Sequence, residues 1–254
     1  MVRAYKEQNP HAEICAVTRT DKRHEKLRRI GAGDVETSLP ARKFDHVVIL
    51  VTPNVEDYEE IVRSSVSCWR KEEEGTRGGG GNLVLASSVG VFAQSDQEVV
   101  TVNEESAVNR TGSPFSSKLL RAEEIALGAG GVVMRLAGMY NLAPDRNSFF
   151  LKSGEVERRG DSLMGLVGYD DVVGAIMLAL GKEKETVSGE IFIVCDGQEQ
   201  TIQEVYADAE STGIVSDDGS DDDDDGADDD DDHDHDNDDD DDDDDDDGDD
   251  GDLW

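Results

Sequence analysis

The 254-residue chain carries 61 acidic against 24 basic side chains, a net charge of −37, and 27 of the acids are aspartates between Asp217 and Asp252. Taking those 27 from the 61 leaves 34 acids against the same 24 bases, so residues 1–216 form a body of net charge −10. That balance excludes docking on a phosphate backbone, which takes clustered Lys and Arg, and no apolar run approaches the roughly 18 residues of a bilayer-spanning helix.

The composition predicts a folded domain over residues 1–210 and a separate Asp-rich tail over 211–254. The body is long enough for one domain with its own core. In chain order, residues 1–8 read as the end of a helix, with neither a signal core nor a transit peptide. Ala12–Thr18 is a strand, followed by a polar helix from Asp21, a fitting N-cap, to about Ile30. Gly31 and Gly33 turn the chain toward a short strand near Val35. Val47–Val51 is a β-branched run of the kind buried on both faces, ended by Pro53 and Asn54. Val55–Lys71 has helical spacing, with Tyr58, Ile61, Val62, Ser65 and Trp69 near one face.

A charged, Gly-rich loop, residues 72–82, leads into a strand at Leu83–Ala86 that ends in Ser87-Ser88. Phe115–Leu127 is a helix closed by Gly128. Val132–Leu136 is a strand that Ala137-Gly138 leaves. Asp170–Leu180 is a helix, Ile191–Cys195 the last strand and Thr201–Ala209 the last helix. Strand and helix in alternation predict an α/β fold: a doubly wound parallel sheet with helices on both faces.

Ligands of such sheets bind beyond the carboxyl ends of the strands. The residues to weigh are therefore Thr18-Arg19-Thr20, Thr52-Pro53-Asn54, Ser87-Ser88 and Ala137-Gly138-Met139-Tyr140, of which Thr18, Arg19, Thr20, Thr52, Pro53, Ser87, Ser88, Ala137 and Gly138 are the candidate cofactor-binding residues. Arg19 follows what would be the second strand of a dinucleotide fold, where a guanidinium pairs bidentately with a ribose 2′-phosphate. A solvated loop arginine fits the same position. His11, His24 and His46 are scattered and have no metal-ligand spacing, so no metal is expected. Cys15, Cys68 and Cys195 are odd in number and far apart, which reads as free thiols in a reducing compartment.

Six blocks in order resemble the NAD-dependent epimerase/dehydratase family, the extended short-chain dehydrogenase/reductases, and in particular its atypical branch. They are Val17-Thr18-Arg19-Thr20, Phe44-Asp45-His46-Val47-Val48 with Thr52-Pro53, and Ala86-Ser87-Ser88-Val89-Gly90-Val91-Phe92. The others are Arg135-Leu136-Ala137-Gly138-Met139-Tyr140, Gly168-Tyr169-Asp170-Asp171-Val172 and Ile191-Phe192-Ile193-Val194-Cys195-Asp196-Gly197. The resemblance covers roughly residues 4–209. It implies a Rossmann-like fold, a dinucleotide cofactor (NADPH rather than NADH, through Arg19) and an unidentified small-molecule ligand. It also implies a soluble protein of the cytoplasm or the plastid stroma.

Two departures qualify that implication. The family opens with a strand and a Gly-x-Gly-x-x-Gly turn that lets the pyrophosphate approach a helix N-terminus. Neither Gly31-Ala32-Gly33, after a helix, nor Gly78–Gly81, before a strand, stands at the right end of a strand. The expectation is a sheet without its first strand and Gly-rich turn, through N-terminal truncation or an incomplete gene model. The family's acid/base pair is Tyr-x-x-x-Lys, in which Lys acidifies the phenol for proton transfer. Ser88 matches the accompanying Ser, but counting back from Glu123 puts Phe115 at the Tyr place and Leu119 at the Lys place. Counting from Lys118 puts Pro114 at the Tyr place. A phenyl ring transfers no proton. Lys118 reads as a ligand contact or a solvated helix lysine. Tyr169-Asp170-Asp171 reads as a substrate-side segment or a helix cap, and Tyr140 and Arg146 receive no role.

The tail has almost nothing to bury and is expected to be disordered. Asp221, Asp223, Asp225, Gly226 and Asp232 mimic a calcium loop, a match that an Asp homopolymer produces trivially. Weak contact with divalent cations or basic proteins such as histones, and plain solubilisation, are its open roles. Three functions follow: a dinucleotide-dependent oxidoreductase or isomerase, a non-catalytic nucleotide-binding sensor, and an acidic-tail interaction protein.

Overall fold

The computed structural model describes residues 1–70, 80–92, 101–111, 113–140, 160–198 and 200–211. Residues 71–79 of the Gly-rich loop, Arg146 and the whole tail from 212, with its calcium-loop mimic, lie outside the described residues. The elements run α1 (Val2–Gln8), β1 (Cys15–Val17), α2 (His24–Arg29), β2 (Asp34–Glu36), β3 (Val47–Ile49), α3 (Tyr58–Ser67) and β4 (Leu83–Ser88). They continue as α4 (Pro114–Gly128), β5 (Val132–Leu136), β6 (Gly138–Tyr140), β7 (Leu163–Met164), β8 (Leu166–Gly168) and α5 (Tyr169–Gly181). The last are α6 (Lys184–Val187), β9 (Ile191–Val194), β10 (Gln200–Thr201) and α7 (Ile202–Ser211).

The centre is a four-stranded parallel sheet in the order β3-β4-β5-β9. Alternate residues of these strands face opposite sides. Ile49, Leu83, Leu85 and Val133 pack with Tyr58, Val62, Leu119, Leu120, Ala122 and Ala126, the inner faces of α3 and α4. On the other side Val84, Val132, Met134 and Leu136 pack with Val172, Ile176, Ala179 and Leu180 of α5, and Tyr5 of α1, with Met1 just before that helix, joins the layer. Helices therefore cover both faces, which is why these strands are continuous apolar runs.

The sheet divides where sequence reasoning supplied one continuous sheet. β1 and β2 pair in parallel as a separate two-stranded sheet, and β6 pairs with β8, β7 with β10. Gly138 therefore does not simply leave the sheet: it begins a new strand, because its N–H donates to Gly165 O at 3.0 Å. Asp21 does not cap an α-helix; Thr20 precedes a 3-10 turn at Asp21–Arg23, and α2 starts only at His24. α3 ends at Ser67, so Trp69 is not on its face. Its indole instead donates to Asp45 O and Gly81 O at 3.0 and 3.1 Å, joining the start of β3 to the chain before β4. Gly81 permits that approach, since a Cβ there would lie 2.5 Å from Asp45 O. Among the described residues no helix is long and apolar enough to cross a membrane.

Candidate functional site

Ser88 closes β4 and its hydroxyl accepts the Gly90 N–H at 3.1 Å, capping a 3-10 turn over Val89–Val91. Opposite it, α4 begins with a matched pair of signals: Ser113 accepts the Ser116 N–H at 3.1 Å and Pro114 occupies the first turn. The Ser116 hydroxyl then donates to Gly90 O at 2.8 Å, so Gly90 is held from both sides. A Cβ on Gly90 would lie 3.3 Å from Ser88 Oγ and 3.8 Å from Phe115 Cε1. Ser88, Gly90 and Phe115 thus form one surface beyond the carboxyl end of β4, and the Phe115 ring is 42% exposed there.

Lys118, one turn on, turns toward the loop after β3. Its ammonium donates to Pro53 O at 3.2 Å and Val55 O at 3.3 Å. Leu119 points the other way and is 2% exposed in the core. A lysine in its place would be buried among apolar groups. Neither register of α4 therefore offers a phenol next to a solvated ammonium. Thr52 is half-buried and Pro53 buried at this loop.

Ser87 faces inward and is 6% exposed. Its hydroxyl donates to Glu123 Oε1 at 2.6 Å, and Arg135 donates Nε and Nη2 to the same carboxylate at 3.1 and 2.8 Å. The guanidinium lies 4.9 Å from the Phe92 ring centroid. Sequence reasoning missed this buried ion pair; its signal is an arginine inside the otherwise apolar run Val132–Leu136. Tyr58 stands beside it with 0% exposure, its hydroxyl without a partner among the described residues, as is Arg135 Nη1. Burial, and then the charge of Glu123, push the Tyr58 phenol up to about 12. It neither reaches the surface nor ionises at neutral pH.

The β1 end lies on the other sheet. Thr18 gives its hydroxyl proton to Thr20 O at 2.8 Å, so its oxygen accepts from His24 Nε2 at 2.9 Å. The contact braces an exposed loop that holds Arg19 and Thr20. Ala137 is buried and its N–H donates to Val194 O at 3.0 Å, so its backbone and that of Gly138 are committed to strand pairing. Asp170 and Asp171 stand in the first turn of α5, whose N-cap is Gly168 without a side-chain cap. No His/Cys/Asp/Glu group that could hold a metal exists among the described residues.

No family model and no curated protein matches the chain. Solved structures do. A functionally unknown conserved protein from Silicibacter pomeroyi superposes with a TM-score of 0.60 at 19% identity, over 84% of this chain and 73% of that one. UDP-glucuronic acid 4-epimerase from Bacillus cereus, in complex with UDP-glucuronic acid and NAD, gives 0.60 at 12% identity, over 85% and 79%. dTDP-glucose 4,6-dehydratase from Bacillus anthracis, in complex with NAD, gives 0.58 at 15% identity, over 84% and 76%. The likeness is one of fold: a Rossmann-like α/β sheet.

Proposed function

We propose that this is a nicotinamide-dinucleotide-binding protein of the epimerase/dehydratase type that holds its ligand without a Tyr–Lys proton relay. The observation that carries the proposal is the surface of Ser88, Gly90 and exposed Phe115 at the carboxyl end of β4, with Leu119 buried and Lys118 engaged by Pro53 O and Val55 O. The two named enzymes similar in fold are described with NAD bound, which supports a dinucleotide here. Phe115 offers a flat apolar ring against which a planar ligand group packs, and Ser88, which accepts from Gly90 N, keeps its own proton to donate. Arg19 favours NADPH over NADH through its 2′-phosphate. In this proposal residues 1–210 carry binding, and 211–254 form an acidic arm that makes no contribution to it.

Titration of the full chain with NADPH and NADH, followed by nicotinamide fluorescence, tests this directly. Saturable binding of either is expected, with no turnover across a panel of carbonyl compounds and nucleotide sugars. Absence of binding overturns the proposal, and turnover by the unmodified chain overturns its non-catalytic half. Arg19→Ala is expected to remove the NADPH preference, since a charge-assisted contact contributes about 1.5–3 kcal/mol, roughly tenfold or more in affinity.

A further inference from the structure

β9 reads Ile191-Phe192-Ile193-Val194 and has no charge of its own. A strand of that composition templates pairing wherever its edge is open. Its inner edge is committed: the Val133 N–H donates to Glu190 O and the Ala137 N–H to Val194 O, both at 3.0 Å. Even-numbered residues therefore bond toward β5, and the odd ones, Ile191 and Ile193, direct their peptide groups away from it. Among the described residues no strand pairs with that outer edge. A side chain from far along the sequence meets it instead: the Ile193 N–H donates to Glu104 Oε1 at 3.0 Å.

Glu104 arrives there on a built support. The Ser106 N–H donates to Asn103 O at 3.0 Å and the Asn103 N–H to Ser106 Oγ at 2.9 Å, which closes a turn over residues 103–106. Asn103 Oδ1 accepts the Glu105 N–H at 3.0 Å and the Ser106 hydroxyl at 3.1 Å. On either side of the turn, Val102 and Val108 pack on the core shared with α3 and α4. Val108 bridges Phe92 and the Asn109 N–H donates to Val91 O at 2.8 Å. Residues 101–111 thus form a strap from the end of β4 to the edge of β9, with Glu104 at its tip. Two peptide N–H groups, that of Ile193 first and its own second, hold the Glu104 carboxyl below the usual carboxylate range. Arg135, opposite Ile193 in the register of the sheet, pulls the same way.

We infer that Glu104 guards a self-pairing edge: its carboxylate occupies the outward donor of β9, and without it β9 pairs antiparallel with β9 of a second copy of this chain. The occupant follows from the edge itself. A second copy presents the same two outward residues, and a two-fold axis at Phe192 sets Ile191 of each copy opposite Ile193 of the other. Each such pair exchanges both of its peptide hydrogen bonds. Phe192, 37% exposed, then faces Phe192 of the second copy across the closer, non-hydrogen-bonded position, a favoured place for an aromatic pair. Glu104 opposes this by chemistry as well as by bulk. An ionised carboxylate only accepts, so the incoming carbonyl that should take the Ile193 N–H meets an acceptor already in place. The guard does not depend on dinucleotide binding at the end of β4.

Sedimentation velocity of the full chain and of Glu104→Ala tests this, over a range of protein concentrations at neutral pH and physiological salt, which screens the acidic chains from one another. Glu104→Ala is expected to self-associate roughly tenfold or more tightly than the wild type, the effect of losing a charge-assisted bond. Adding Ile191→Pro, which removes an outward N–H and leaves the bonds to β5 in place, should return Glu104→Ala to wild-type behaviour. Amide hydrogen exchange reads the same contact without relying on association. The Ile193 N–H should exchange slowly in the wild type, roughly tenfold or more faster in dilute Glu104→Ala, and slowly again where that variant associates. Three results each overturn the inference: association of Glu104→Ala no tighter than that of the wild type, equal association with Ile191→Pro added, or equal exchange at Ile193 in the wild type and dilute Glu104→Ala.

Discussion

The four-stranded sheet and the β1–β2 pair come from the same local pattern, strand, helix, strand, and differ in what surrounds them. Every residue of β5 is buried, whereas β1 has none buried and β2 only Val35. α4 buries six of its side chains over four turns, and α2, six residues long, buries none. A strand gains stability when it is covered on both faces and paired on both edges; β1 is paired on one edge only among the described residues. The comparison teaches that the pattern of apolar residues sets the element, while the neighbours set how firmly it is held.

The largest expected effect lies in the firmly held region. Glu123→Ala strips Arg135 of its partner at a site where both side chains are at most 4% exposed. An uncompensated buried charge destabilises by about 3–5 kcal/mol. Urea denaturation checks this, and Glu123→Leu with Arg135→Met is expected to recover most of the loss. If the single variant unfolds no more easily than the wild type, the pair does not hold β4, β5 and α4 together. Leu85→Ala follows at about 2–5 kcal/mol for a cavity in the core. Val17→Ala, on the loosely held pair, should stay within about 0.5 kcal/mol. Equal losses at Leu85 and Val17 would erase the contrast between the two sheets.

The firmly held region was also the legible one. α4 was expected at Phe115–Leu127 and lies at Pro114–Gly128, and α5 was expected at Asp170–Leu180 and lies at Tyr169–Gly181. Long apolar periodicity leaves little choice there, and the doubly wound parallel arrangement followed from it. The division of the sheet was not legible, because strand pairing is a tertiary property with no local signal at Cys15–Val17. The Ser87–Glu123–Arg135 cluster escaped for the same reason: its members lie 36 and 12 residues apart in sequence. At the candidate site, the family resemblance drew attention to Ser88 and Phe115, and both lie within 4 Å of where a Cβ on Gly90 would stand. Spacing could not tell that Leu119 faces the core while Lys118 reaches Pro53 O, since adjacent helical positions differ by a rotation that packing alone resolves.

A smaller effect sits just before β3, at His46. Burial pushes the His46 imidazole below its ordinary pKa, against the pull of Asp45, and its Nδ1 accepts the Asn82 N–H at 3.0 Å, which the neutral ring alone can do. The unfolded chain therefore binds the His46 proton more readily than the folded one, so stability falls as pH drops below about 6.5, the unfolded value. Tyr5 and Asp45 are the titratable neighbours in contact with it. His46→Gln should flatten the slope of stability between pH 7 and 5 measured by thermal unfolding; an unchanged slope assigns it to other groups.

The last prediction separates burial from bonding in the core. Tyr58 is fully buried, yet its hydroxyl has no hydrogen-bond partner among the described residues. Tyr58→Phe keeps the ring in the cluster of Val62, Leu85 and Leu119 and removes a polar group that burial penalises. The change should leave stability unaltered or raise it by up to about 1 kcal/mol near pH 7. At alkaline pH the two proteins must diverge. The phenol is held up to about 12 when folded, above its unfolded value near 10. The folded state therefore keeps a proton that the unfolded state releases, and stability is intact below about pH 10 and declines as pH rises toward the folded value. The Phe variant lacks that decline, so the difference between the two melting curves should widen from pH 9 to 11. A constant difference across that range would mean that Tyr58 is solvated, and that the core beside Glu123 is more open than the main sheet's packing implies.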